Sequence, residues 1–137
     1  MGRVTDINDS SGTALAHYAY DSLGRRAAVA YANGTAKEYS YDTAYRLADV
    51  NNPTSNDNHL YAYTYDKVGN RLSMTVDGSD VHLYTYDKLY QVTDVDYPVG
   101  HFAADTTFNY DNAGNREKIE LRGQAFYLGI DSLWVSS

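Results

Sequence analysis

Tyr65-Asp66-Lys67-Val68-Gly69-Asn70-Arg71 is the stretch whose reading decides the fold, because the chain returns to it. Tyr20-Asp21-Ser22-Leu23-Gly24-Arg25-Arg26 comes before it and Tyr110-Asp111-Asn112-Ala113-Gly114-Asn115-Arg116 after it. Between them lie two variants, at Tyr41-Asp42 and Tyr86-Asp87, in which Tyr45 and Tyr90 replace the glycine. The Tyr-Asp pairs are spaced 21, 24, 21 and 24 residues apart, so the repeating unit is a pair with a 45-residue period. Self-similarity at such a period is the signature of a repeat architecture. Arg3-Val4-Thr5-Asp6-Ile7 matches the tail of an even unit, so the array is already under way there.

Each unit reads as strand, turn, strand. A second aromatic stands two residues before every Tyr-Asp: Tyr18, Tyr39, Tyr63, Tyr84 and Phe108. Period two puts both rings on one face of a strand. The residues between them (Ala19, Ser40, Thr64, Thr85, Asn109) are small or polar, as an opposite face requires. The aspartate then opens the turn, accepting backbone N–H bonds, while Gly or Asn supplies the positive φ. Asn33-Gly34 and Asp77-Gly78 are type I′ hairpin signals, with Arg122-Gly123 in the matching place. Even units close through longer loops, Asn8–Thr13, Asn51–Asn58 and Asp96–Phe102, and Pro53 and Pro98 fall in these loops and outside the strands. The expected fold is all-β: an antiparallel meander of ten to twelve short strands in a curved or partly closed sheet, without helices. The repeat array occupies residues 1–124, and the apolar, non-repeating stretch 125–137 is read as a cap over a sheet edge.

Composition agrees. Of 137 residues, 15 are Tyr and only 3 Phe and 1 Trp, so the bulky side chains carry a hydroxyl that needs a partner. The net charge of −7 argues against a nucleic-acid role, because phosphate binding needs clustered Lys and Arg, and it disfavours anionic membrane surfaces. No segment is long and apolar enough to span a bilayer, and the N-terminus lacks the apolar stretch of a signal peptide. There is no cysteine.

These motifs resemble the YD-repeat, or Rhs (rearrangement hot spot), family, whose unit is written YDxxGRL or YDxxGNR. The resemblance covers about nine-tenths of the chain. It implies β-hairpin strips that build shells in bacterial secreted or delivered toxins and in teneurins. It also implies a role in encapsulation, display or protein contact, with chemistry left to a separate domain. Tyr20, Asp21, Tyr41, Asp42, Tyr65, Asp66, Tyr86, Asp87, Tyr110 and Asp111 are then structural residues.

Chemistry-bearing candidates are few. No metal-ligand spacing or nucleophile motif is present. His59 and His82 share the tyrosine face and are the candidates for a catalytic base, while His17 falls on the other face and His101 in a loop. Asp6, Asn8 and Ser10 alternate ahead of Gly12 like the start of a calcium loop, which makes Asp6, Asn8 and Asp9 the metal candidates. Arg26, Arg71 and Arg116 recur in phase and are expected to bond a repeat aspartate or stack on a tyrosine. No cofactor is expected apart from Ca²⁺ at that loop. The leading expectation is a structural or interaction module that meets further repeats, or copies of itself as a homo-oligomer, through sheet edges. Its alternatives are a small Ca²⁺-assisted hydrolase of an ester, lactone or phosphoester and, more weakly, a carbohydrate-binding tyrosine-lined sheet.

Overall fold

A computed structural model describes residues 2–54, 57–101, 103–121 and 124–127, with side chains as far as residue 121. All regular structure in them is β. Twelve strands follow one another: β1 Asp6–Asn8, β2 Ala14–Tyr20, β3 Arg26–Tyr31, β4 Ala36–Tyr41, β5 Leu47–Pro53, β6 Asn58–Tyr65, β7 Arg71–Val76, β8 Asp80–Tyr86, β9 Val92–Asp96, β10 Thr106–Tyr110, β11 Arg116–Leu121 and β12 Gln124–Tyr127. Their order in the sheet is their order in the chain, so this is a meander with β1 and β12 at its two ends and not a closed barrel. Two compact units divide the chain: residues Met1–Tyr63 with Thr75–Ser79, and Thr64–Met74 with Asp80–Ser137. The expected boundary at residue 124 is crossed by β12, which pairs with β11. The rest of the anticipated cap, from residue 128 on, lies outside the described residues, as does Arg122-Gly123.

The repeat turn has one geometry throughout. In each, the aspartate N–H donates to the carbonyl four residues on, and the amide at the third residue donates back to the aspartate carbonyl. That third residue has positive φ: Gly24 79°, Tyr45 65°, Gly69 104°, Tyr90 64° and Gly114 83°. Glycine takes this conformation freely, whereas a residue with a Cβ is strained there. The even units therefore hold the same turn with a tyrosine in a glycine's conformation. The sequence pattern assigned positive φ to Gly or Asn and did not anticipate this.

Four of these turns are followed by a β-bulge. The register slips at Ala19/Tyr20, Ser40/Tyr41, Thr85/Tyr86 and Asn109/Tyr110, so the repeat tyrosine faces two residues on the following strand. Two other details differ from expectation. Pro53 ends β5, paired with Asn58, so the loop shrinks to residues 54–57; a strand terminus tolerates the missing N–H. Asp77-Gly78 has positive φ at both residues, as a type I′ turn needs, but Asn33 does not. There, Tyr31 and Thr35 close the same five-residue turn as the repeats, with Gly34 at φ 82° and Asn33 Oδ1 accepting the Thr35 N–H.

Among the described residues, the buried apolar side chains are Ala16, Val29 and Val95. The tyrosine face is half-buried, while the opposite face carries cross-strand polar pairs. Ser40 donates to Asp49, the Asn51 amide to Glu38, and Thr85 to Asp94. Local hydrogen bonding thus carries much of what a thicker core would supply.

The strained tyrosines give a direct check. Tyr90→Gly should raise stability by about 0.5–1 kcal/mol in chemical denaturation, the relief of strain outweighing glycine's added unfolded-state entropy. Tyr45→Gly should gain less, because the Tyr45 ring lies against the Arg25 guanidinium, 5.4 Å from ring centroid to Cζ.

Candidate functional site

The motif's chemistry begins with the aspartate. One carboxylate oxygen of Asp21, Asp42, Asp66, Asp87 and Asp111 accepts the N–H groups two and four residues on, all at 2.8–3.0 Å. The second oxygen takes the side chain four residues on. It is Arg25 Nε for Asp21 and Arg46 Nε for Asp42, both 2.7 Å. It is Asn70 Nδ2 for Asp66 at 2.8 Å and Asn115 Nδ2 for Asp111 at 3.0 Å. In the Asp87 turn the equivalent Gln91 reaches forward instead, donating to the Gly114 carbonyl.

This fourth residue was missed in the sequence reading, although Arg, Arg, Asn, Gln and Asn stand there in turn. The recurring arginines one place later do something else. The Arg26 guanidinium lies over the rings of Tyr18 and Tyr39, Arg71 over Tyr84 at 4.4 Å, and Arg116 over Phe108 at 4.6 Å. Of the two expectations for them, stacking is what these contacts show.

The tyrosine hydroxyl links one unit to the last. Tyr20 donates to the Val4 carbonyl, Tyr41 to Arg26, Tyr86 to Arg71 and Tyr110 to Val92, at 2.7–2.9 Å. Arg26 and Val92 are the residues that face Tyr20 and Tyr86 across their bulges, where the sheet ladder is interrupted. Arg25, held by Asp21, also lies over the Tyr41 ring at 4.2 Å. Asp21, Arg25, Tyr41 and the Arg26 carbonyl therefore form a continuous clamp between successive hairpins. Arg3 over Tyr20 and the Tyr20–Val4 bond reproduce it one unit earlier, as the partial repeat at residues 3–7 anticipates.

The proposed ligands and bases are placed as follows. Asp9 Oδ1 accepts the N–H groups of Ser11 and Thr13 inside its own turn, and Asp6 meets His17 Nδ1 at 2.7 Å across the β1–β2 pair. Asn8 is exposed at the end of β1. His59 stands between two carboxylates, Nδ1 to Asp77 at 2.7 Å and Nε2 to Asp57 at 3.0 Å. His82 is buried, 7% exposed, and meets Asp80, Tyr97 and His101. His59 and His82 belong to different units. The His82 cluster needs the turn after Pro98 to return His101 to the sheet, which no sequence spacing reveals.

Several groups titrate away from their ordinary values. The Arg46 N–H, and then its guanidinium, hold the Asp42 carboxyl low; the Asn115 amide and backbone N–H do the same for Asp111. For Asp21 and Asp66, desolvation pushes upward as the largest single influence, and the bonds around Arg25 and Asn70 together outweigh it. The hydrogen bond His59 donates to the Asp77 carboxylate, with the charges of Asp57 and Asp77, raises His59.

The RHS Repeat family model matches residues 2–36. No curated protein matches the chain significantly. Among solved structures, the Tc holotoxin pore of Photorhabdus luminescens aligns at TM-score 0.68 and 19% identity, covering 89% of this chain and 8% of that one. TcdB2-TccC3 without its hypervariable C-terminal region aligns at TM-score 0.70 and 19% identity, with the same coverage of both chains. The TcdB2-TccC3-Cdc42 structure gives TM-score 0.66 at 20% identity over 94% of this chain and 8% of that one. The fold is that of a β-repeat array. The RHS Repeat match is confined to residues 2–36, and the turn and the tyrosine bond recur beyond that matched segment. The chain spans about 8% of the length of these structural relatives.

The titrations set a pH window. Carboxylates with lowered values stabilise the fold fully above their unfolded value of about 3.9 and lose that contribution as pH falls through the lowered values. His59, raised, contributes fully below about 6.5 and ceases to contribute as pH rises through its higher folded value. A thermal-melting series should therefore fall steeply below about pH 4 and decline more gently above about pH 6.5. His59→Gln should flatten the upper decline and leave the acid limb in place.

Proposed function

We propose that this chain is a strip of structural scaffold whose role is protein contact. The observation that carries this reading is the internal use of the motif's reactive groups. The repeat carboxylates close their own turns, and the stapling tyrosines bond the preceding unit. A surface made this way is regular and extendable, which suits a wall more than a pocket. The structural relatives are multi-component toxin assemblies, and their far greater length supports a setting in which many such repeats adjoin.

The surface available for contact supports the same reading. In the first unit, Leu15 on β2 and Leu60 on β6 alternate with the tyrosines, away from the tyrosine face, and are 46% and 39% exposed. Repeat arrays bury such residues against their neighbours. Further repeats or copies of this chain, meeting through sheet edges and this face, are the partners the reading favours.

Sedimentation velocity of the full chain over a range of concentrations tests it. Self-association is expected, shifting toward monomer in Leu15→Glu and Leu60→Glu while the far-ultraviolet circular dichroism stays β. A chain that is monomeric at every concentration, with both variants indistinguishable from it, overturns the contact reading. Separately, Tyr110→Phe should cost about 0.5–1.5 kcal/mol in chemical denaturation, the usual worth of one hydrogen bond. No cost would remove the tyrosine bond from the account of how units join.

A further inference from the structure

We propose that Asp80, His82 and His101 form a binding site for a divalent transition-metal ion of the zinc type. One ligand atom from each of the three residues lies within 4.8 Å of the others. All three belong to the second unit, two from β8 and one from the loop between β9 and β10. Nothing in the repeat motif calls for them, since the clamp between hairpins uses neither histidine.

Three observations point to an ion. First, Asp80 Oδ1 is buried and makes no hydrogen bond; His82 Nε2 faces it at 3.1 Å without the alignment of one. A buried acceptor left in that condition calls for a partner. Second, a tetrahedral ion with ligands at about 2.0–2.1 Å separates them by roughly 3.3 Å, close to that oxygen–nitrogen distance. Third, the rings are held in place. His82 is 7% exposed, its edge packs on Tyr97 at 5.3 Å, and Tyr97 stacks on His101 at 5.0 Å with an interplanar angle of 12°. The turn that returns His101 closes through its N–H on the Pro98 carbonyl, with Gly100 at φ 88°.

The donor set selects the ion. Two imidazole nitrogens and one carboxylate oxygen suit zinc and its neighbours, whereas calcium and magnesium favour oxygen ligands throughout. Three protein ligands leave a fourth position for water. Binding has a local cost, because His101 Nδ1 accepts the Ala103 N–H at 3.1 Å. Ligation through Nδ1 takes that lone pair, and ligation through Nε2 moves the ring proton to Nδ1, so either route gives up the bond.

Cobalt(II) serves as the probe, added to the full chain without a histidine tag. The expected result is an intense visible absorption of a tetrahedral or five-coordinate centre, removed by stoichiometric Zn²⁺, and a melting midpoint that rises with Zn²⁺ and returns with chelator. His101→Asn, in the loop outside the strands, should weaken binding by at least about tenfold, as loss of a direct ligand requires. His82→Gln should do the same if it folds, and His59→Gln should leave the spectrum unchanged. Absence of the cobalt band in the wild-type chain, or a band that survives in His101→Asn, overturns the proposal. So does stabilisation by Ca²⁺ alone. None of these outcomes bears on self-association, so the scaffold reading stands or falls independently.

Discussion

An aspartate that closes its own turn is the constraint on which the other interactions depend. Its first oxygen collects two amides, its second fixes the side chain four residues on, and in the Asp21 turn that side chain, Arg25, lies over the next repeat tyrosine. Moving the aspartate would move the turn, the bulge after it and the carbonyl that receives the next hydroxyl. Carboxylates in backbone-amide cradles are charge-assisted acceptors, which strengthens the individual bonds. An exposed turn built this way holds its shape without a large apolar core beneath it.

That matters because the described residues bury so little. Ala16, Val29 and Val95 are small, and the tyrosines that flank them remain half-exposed. Tyrosine suits such a layer, its ring packing under an arginine while its hydroxyl fills the gap a bulge leaves in the ladder. The polar pairs on the opposite face, Ser40 with Asp49 and Thr85 with Asp94, tie adjacent strands without making that face greasy. An even turn carries one more device: Tyr45 accepts a strained backbone and lays its ring on the arginine of the preceding turn. At the matching place in an odd turn, Gly24 leaves room for Arg3, whose guanidinium occupies the space a Cβ would need.

Much of this was legible in the sequence because the repeat displays it several times over. The Tyr-Asp spacing predicts the strand order, the aromatic two places earlier predicts the face, and the aspartates expected to open the turns accept the N–H groups two and four residues on. Three features were not legible, each for a physical reason. Asn33-Gly34 has the letters of a type I′ turn, yet the five-residue turn wins there, with Thr35 bonded to the Asn33 side chain. The role of Arg25 and its counterparts depends on which way a long side chain swings from a turn, and adjacent arginines hid it. The Asp80, His82 and His101 cluster arises from a loop returning on itself, a juxtaposition outside any periodic pattern. For the calcium candidates, Asp6 and Asp9 are engaged with His17 and with the Asp9 turn itself.

The reach of the tyrosine bond has a consequence for how such a chain is made. The four hydroxyls find carbonyls 15 to 18 residues behind them. Each clamp is therefore complete soon after its tyrosine is added, without waiting for distant sequence. Short-range closure keeps contact order low, which favours fast folding despite the all-β architecture. Each new hairpin then has the carbonyl it bonds in the hairpin made just before it, so the array can close one rung at a time.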